Sequence, residues 1–140
     1  ENGLGGAKGY RDAHLDEVDN MVLAIESDSG VFEPLGFSFS GSATARDLVS
    51  EVAGLLEPIG AAMISGNGGG ADIGPLMDHG VPGMGLVVDG SKYFWYHHTH
   101  ADTIDKIDPL HLHQCAATLA VMSFVVADMP QRLPRETASH

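Results

Sequence analysis

Met21-Val22-Leu23-Ala24-Ile25 is a continuous apolar run of strand length, and the polar residues Glu26-Ser27-Asp28-Ser29-Gly30 follow it at once. A strand without polar alternation is typical of a sheet that is covered on both faces. Further strands are predicted at 37–40, 61–64 and 83–89, with helices at 7–19, from about residue 42, at 72–79 and at 109–129. This alternation predicts an α/β three-layer sandwich, with a mainly parallel mixed sheet and helices on both faces.

Composition limits the classes of protein that the chain can represent. Its 140 residues are 44% hydrophobic, include 18 glycines and carry a net charge of −12. These values suit a globular domain and exclude a disordered tail, while the negative charge argues against nucleic acid or an anionic membrane as a partner. The apolar run from Cys115 to Ala127 is interrupted by polar residues and is predicted to be too short to span a bilayer.

Three of the eight histidines lie within four positions of each other, in the segment YFWYHHTHADT at residues 93–103. The aromatic residues 93–96 are predicted to form a buried strand. Imidazole is a common zinc ligand near neutral pH, and the carboxylate of Asp102 is near enough in sequence to bind a metal or to orient a histidine ring. A cluster of histidines on a solvated loop is the alternative, which the spacing alone leaves open.

Polar residues at strand ends give a second indication of a site. Asp28 follows the first apolar strand, His98 follows the last one, and Glu1 precedes a glycine-rich turn that opens a helix. Ligands of α/β sheets bind at the carboxyl ends of the strands, so two carboxylates and a histidine could meet at one edge and hold zinc. Strand ends commonly carry polar residues, so a purely structural role also stays open.

Three motifs together resemble the second half of a co-catalytic zinc exopeptidase of peptidase family M28. They are Glu1-Asn2-Gly3-Leu4-Gly5-Gly6-Ala7, Ile25-Glu26-Ser27-Asp28-Ser29-Gly30 and Tyr96-His97-His98-Thr99-His100-Ala101-Asp102-Thr103. Gly70-Ala71-Asp72-Ile73 and Gly80-Val81-Pro82-Gly83 resemble the carboxypeptidase branch of that family. The resemblance runs over residues 1–134, which we interpret as the C-terminal part of a peptidase catalytic domain, with a frayed tail at 135–140.

The resemblance implies metal-binding roles for three residues. Glu1 is similar to the second glutamate of the family's Glu-Glu pair, which binds one zinc, and His98 is expected to join it on that metal. Asp28 resembles the aspartate that binds the other zinc.

Four further residues receive weaker expectations. His97 and His100 are expected to line the cleft or to be exposed, and Asp102 to orient the metal-binding loop or to stabilise a turn. Asp72 is expected to line the substrate cleft by resemblance, although capping the short helix at 72–79 is the simpler role.

The departure from the family pattern concerns catalysis. The general-base glutamate is expected immediately before Glu1, and the aspartate that bridges the two zincs belongs to an upstream H-x-D motif. The chain therefore contains no predicted catalytic residue and three of the five protein ligands of a two-zinc site. By itself, this chain is expected to be inactive, since two-metal hydrolysis requires that both metals be held.

The resemblance implies a secreted or periplasmic exopeptidase, of dipeptidase or carboxypeptidase type, that hydrolyses a terminal peptide bond with metal-activated water. Its substrate would be a peptide or dipeptide, and a homodimer is left open. A non-catalytic homologue serving as a binding or dimerisation module is the alternative. A single-metal site built from Glu1, Asp28 and His98 is a third interpretation.

Overall fold

The computed structural model of the chain describes residues 2–136 and contains a four-stranded sheet. The strands are β1 (Ala24–Glu26), β2 (Pro34–Ser40), β3 (Met63–Ser65) and β4 (Gly83–Val88), in the order β1-β4-β2-β3. β1 is parallel to β4 and β2 is parallel to β3, whereas β2 and β4 are antiparallel. The predicted α/β class with a mainly parallel mixed sheet is confirmed.

In the described residues, five α-helical segments connect and cover these strands. They are α1 (Gly5–Ala13), α2 (Ala43–Gly54), α3 (Gly74–Met77), α4 (Tyr93–Tyr96) and α5 (Pro109–Asp128). Single 3-10 turns lie at Asn2–Leu4, Val18–Asn20, Glu57–Ile59, Gly90–Lys92 and Ile104–Lys106.

The two long helices each begin at an N-cap residue whose side chain accepts a backbone hydrogen bond. Ser42 Oγ accepts a hydrogen bond from the Ala45 amide at 3.1 Å, and Asp108 Oδ1 accepts one from the Leu110 amide at 2.8 Å. Pro109 occupies the first position of α5, where its missing N–H leaves no intrahelical bond unmade.

The main core lies on one face of the sheet, between the sheet and the helices α2 and α5. Phe37 and Phe39 of β2 and Met84 of β4 are fully buried there. The helices contribute Ala45, Val49, Val52, Ala53, Cys115, Met122 and Val126 to the same cluster.

A smaller core covers the opposite face. Met77 of α3 lies against Gly83, whose side of β4 is opposite to that of Met84. Ala24 of β1 packs here with Val18 and Val81, and Ile73 and Leu76 flank them. Helices therefore cover both faces, as the three-layer prediction requires.

By length and composition, helix α5 would be able to cross a membrane, since it spans 20 residues with a mean hydropathy of 1.5. The 13-residue run recognised in the sequence underestimated this length. However, Cys115, Met122 and Val126 form a buried stripe against the core, and Thr118 within the same stripe donates to the Gln114 carbonyl. One stripe of α5 therefore packs on the core, while only 22% of its apolar window is buried within the described part of the chain.

The prediction of a buried strand at residues 93–96 is wrong. These residues form the short helix α4, in which Phe94 is 81% exposed and Trp95 is 65% exposed. The apolar, β-prone composition of the run misled the prediction, because such runs occur in both kinds of element.

Residues 137–140 of the predicted tail lie outside the described residues, but Arg135 is well anchored. Its guanidinium donates to the carbonyls of Val18, Met21 and His79. Arg135 therefore links the C-terminal segment to the Val18–Asn20 turn, and the domain boundary expected at residue 134 stays a prediction.

Candidate metal and substrate site

Asp28 and His98 come together at one edge of the sheet. Because β1 and β4 are parallel, their carboxyl ends lie at the same edge, and Asp28 stands two residues beyond the end of β1. From the end of β4 the chain turns at Asp89, passes through α4 and reaches His98. Asp28 and His98 both line a cavity of about 430 Å³ at this edge.

Asp89, the first residue after β4, stabilises the turn that follows this strand. Asp89 accepts hydrogen bonds from the backbone N–H and the hydroxyl of Ser91, at 3.0 and 2.9 Å. These two donors hold the pKa of Asp89 below its ordinary value. The carboxylate thus remains an acceptor near neutral pH and fixes the direction in which the chain enters α4.

Aromatic stacking organises the histidine segment. The ring of Tyr93 stacks on that of His97 with centroids 4.5 Å apart, and His97 stacks on His98 at 3.8 Å. His98 has a φ of 55°, in the left-handed region that is uncommon for residues other than glycine. Residues in such conformations cluster at functional sites, where the surrounding structure holds them in place.

Thr99 and Thr103 stabilise the turn after His98. Thr99 Oγ1 donates to the Tyr96 carbonyl at 2.8 Å and accepts from the Ala101 amide at 3.2 Å. Thr103 Oγ1 donates to the Ala101 carbonyl at 3.3 Å. This segment therefore contributes a rigid turn that fixes the position of the preceding histidine.

The weaker candidate residues divide into two groups. His97 and Asp102 line the 430 Å³ cavity together with Asp28 and His98. His100 and Asp72 are exposed and do not line it.

The alternative role of Asp72, capping the short helix, is wrong. Helix α3 starts two residues later than predicted, at Gly74, and its N-cap is Ile73, which makes no side-chain cap hydrogen bond. The backbone N–H of Asp72 instead donates to the carboxylate of Glu26.

The donors at this edge have the chemistry of a zinc site. A carboxylate oxygen from Asp28 and an imidazole nitrogen from His98 are both ordinary zinc ligands. Within residues 2–136, no group of three or more histidine, cysteine or acidic side chains is arranged to hold a metal ion. Glu1, the third predicted ligand, lies outside the described residues.

Several other residues that line this cavity were not predicted as site residues. Tyr93, Tyr96 and Lys106 line the same cavity as Asp28 and His98. Lys106 donates to Asp105, which raises the pKa of Lys106, and Lys106 and Thr103 together lower the pKa of Asp105 to about 2. The i, i+3 spacing of the two tyrosines would have indicated a shared face if the run had been recognised as a helix.

A second cavity, of about 300 Å³, adjoins the first and shares Asp28 and Tyr93 with it. Glu26 and Gly69 are among its other lining residues. Glu26 was also missed, because its partners are about 46 residues away in the sequence.

The fold and these motifs define a peptidase class, and comparison with known proteins agrees. The model of peptidase family M28 matches residues 1–123, and the chain belongs to this family. Carboxypeptidase Q of Xenopus laevis is 44% identical over 135 residues, and that of Homo sapiens is 43% identical over the same length. The resemblance to the carboxypeptidase branch of the family is thereby confirmed.

A solved structure supports the same assignment. The crystal structure of a peptidase M28 precursor from Shewanella amazonensis SB2B is similar with a TM-score of 0.87 and 37% identity. The match covers 96% of this chain and 31% of that one, and each carboxypeptidase Q match covers 96% of this chain and 29% of the relative. The chain thus spans about a third of the length of these relatives.

Proposed function

We propose that this chain is part of a zinc-dependent exopeptidase, similar to carboxypeptidase Q, that hydrolyses the terminal bond of a peptide or dipeptide. The observation that carries the proposal is the convergence of Asp28 and His98 on one cavity in a chain that belongs to peptidase family M28. Hydrolysis of peptides is the chemistry of the family, and the cavity supplies both donor types that zinc accepts.

In this proposal Asp28 binds one zinc, and His98 binds the other together with Glu1. Zinc, when bound, acts as a Lewis acid toward the scissile carbonyl and lowers the pKa of water. The stacked ring of His97 and the turn closed by Thr99 hold His98 in its left-handed conformation. Asp28 lies two residues beyond a paired strand, which fixes the backbone from which its carboxylate projects.

The cavity walls suit a short peptide. Tyr93 and Tyr96 offer aromatic surface, whereas Asp102 and Lys106 offer charges of both signs. A dipeptide has an ammonium and a carboxylate close together, so a cleft with mixed charge and aromatic walls supports this substrate class. We further propose a secreted or periplasmic location, by analogy with the relatives.

The test uses the full-length protein that carries this chain. Purified protein should hydrolyse unblocked dipeptides, lose activity with a chelator and regain it with added zinc. Asp28→Asn should abolish turnover and reduce the bound zinc, while Asp16→Asn, at an exposed position, serves as the matched control. Turnover that is insensitive to the chelator would contradict zinc dependence, and absence of turnover in zinc-loaded protein would favour a binding module.

The 140-residue chain alone should show no peptidase activity, because it contains neither the general base nor the bridging aspartate that the family pattern requires. Loss of a proton-transfer group alone typically costs about 10²–10⁴ in rate. Chelator-sensitive turnover by this chain in a dipeptide assay would show that its catalytic groups have been wrongly assigned.

A further inference from the structure

The loop of residues 66–73, here called the glycine loop, crosses the sheet along a single row of paired residues. In that row Glu26 of β1 is paired with Gly85 of β4, Gly85 with Ser38 of β2, and Ser38 with Ser65 of β3. The loop leaves β3 just after Ser65 and reaches Glu26 on the far strand. It therefore crosses all four strands along this row of paired residues, on the face of the sheet opposite to the main core.

Three consecutive glycines permit this path because they lie in direct contact with the sheet. A Cβ atom at Gly68 would stand 2.2 Å from the Ser38 carbonyl oxygen, and one at Gly70 would stand 2.0 Å from the carboxyl carbon of Glu26. Between them, the carbonyl oxygen of Gly69 lies 3.0 Å from the position that a Cβ on Gly85 would occupy. The triple glycine is thus explained by the close approach of the loop to the sheet and to the Glu26 side chain.

Side chains of the sheet and of α2 form hydrogen bonds with the first half of the glycine loop. Arg46 donates to the Gly66 carbonyl at 2.7 Å, and its other contacts reach the carbonyls of Phe39 and Ser65. Ser40 Oγ donates to the Gly68 carbonyl at 2.8 Å.

The far end of the glycine loop depends on Glu26. One carboxylate oxygen, Oε2, accepts hydrogen bonds from the backbone N–H groups of Asp72 and Ile73, at 2.9 and 3.1 Å. Hydrogen bonds from N–H groups to a carboxylate are about twice as strong as neutral ones. Because Gly70 lies against the same carboxylate, Glu26 fixes the loop by contact and by hydrogen bonding together.

This anchor stands beside the candidate metal site. Glu26 is the last residue of β1, and Asp28 follows two positions later on the same chain. Glu26, Gly69 and Asp28 line the 300 Å³ cavity, which shares Asp28 and Tyr93 with the larger cavity. A displacement of the glycine loop would therefore change the shape of the space next to Asp28.

We propose that Glu26 is a positioning residue whose carboxylate holds the glycine loop as a fixed wall of the cleft at Asp28. Its effect on catalysis rests on the proposed peptidase function, whereas its effect on the loop does not. The short β1 thus contributes a loop anchor at Glu26 and a candidate metal ligand at Asp28.

Hydrogen–deuterium exchange in the full-length protein measures the anchoring without any turnover. In Glu26→Ala, the amides of Asp72 and Ile73 should exchange about ten- to a hundredfold faster, the change expected for loss of hydrogen bonds to a charged acceptor. Glu26→Gln keeps an acceptor oxygen in the same place and should restore most of the protection. Glu51→Ala removes an exposed glutamate from α2 and is the matched control.

Gly70→Ala gives a second test in which Glu26 is retained. The added methyl group would collide with the Glu26 carboxylate, so the same two amides should exchange about tenfold faster. Unchanged exchange at these amides in Glu26→Ala, or in Gly70→Ala if the first variant does not fold, would overturn the anchoring.

Steady-state kinetics test the second half of the proposal. Glu26→Ala should raise KM for a dipeptide about tenfold or more and lower kcat by a smaller factor, with bound zinc retained, and Glu26→Gln should recover most of the KM. Faster exchange of the Asp72 and Ile73 amides in Glu26→Ala, with KM and kcat unchanged, would contradict a role of Glu26 in the cleft. A wild-type protein that does not hydrolyse dipeptides would contradict the proposed function alone, because exchange still decides the anchoring.

Discussion

A methyl group added at Gly68 tests whether the glycine loop lies as close to the sheet as the structure has it. The Cβ of Gly68→Ala would stand 2.2 Å from the Ser38 carbonyl oxygen and 2.3 Å from the Phe39 nitrogen. Both are backbone atoms of β2, which cannot rotate away, so the loop has to lift by about 1 Å or more to restore an ordinary contact. The lift would also break the 2.8 Å hydrogen bond from Ser40 Oγ to the Gly68 carbonyl.

The expected cost of Gly68→Ala is about 2–4 kcal/mol of unfolding free energy, from overpacking and from the lost hydrogen bond. Urea unfolding of the full-length protein, followed by circular dichroism, measures it. The matched control is Gly54→Ala at the end of α2, where a Cβ meets nothing within 4 Å. Alanine in that helical position should leave stability unchanged or raise it by up to about 1 kcal/mol. A Gly68→Ala protein within about 0.5 kcal/mol of wild type would refute the close approach.

Three further predictions concern the site, the core and a helix cap. His98→Ala should abolish dipeptide hydrolysis and lower bound zinc, whereas His100→Ala should do much less; loss of zinc from the His100 variant alone would show that the ligand is misassigned. Met122→Ala removes a fully buried side chain and should lower the unfolding free energy by about 2–5 kcal/mol. Phe124→Ala, at a position that is 71% exposed, is the control and should lower it far less. Equal losses for the two variants in thermal or urea unfolding would contradict the packing of α5. Ser42→Ala removes the acceptor of the Ala45 amide and should cost about 0.5–2 kcal/mol by the same unfolding assay, so an unchanged midpoint would contradict the cap.

The elements that the sequence predicted well are those specified by local signals. The predicted strand at 83–89 coincides with β4, and the predicted helices from about residue 42 and at 109–129 coincide with α2 and α5, whereas of the apolar run at 21–25 only the last two residues lie in β1. Such signals depend on neighbours in the sequence, so a single chain is enough to recognise them.

The helix α4 was mispredicted because its cause is partly non-local. Tyr93 and its aromatic neighbours favour a strand by composition, but the chain must turn after β4 and does so at Asp89. Stacking of Tyr93 on His97, four residues later, suits one turn of helix and is invisible to an apolar pattern.

The candidate site shows the same division. The rule that ligands bind at the carboxyl ends of parallel strands pointed to Asp28, which stands two residues beyond β1, whereas His98 follows helix α4 and not a strand. Glu26 could not be predicted as a loop anchor, because its contacts at Asp72 and Ile73 depend on a backbone path across the whole sheet. Long-range contacts of this kind require the tertiary structure.

The most direct test of the account is a crystal structure of the full-length protein with anomalous data collected at the zinc edge. We expect anomalous peaks at the sheet edge, with one metal about 2.0–2.2 Å from a carboxylate oxygen of Asp28 and another about 2.0–2.1 Å from a ring nitrogen of His98. Zinc-loaded protein with peaks elsewhere, or with Asp28 and His98 outside the coordination of any metal, would contradict it.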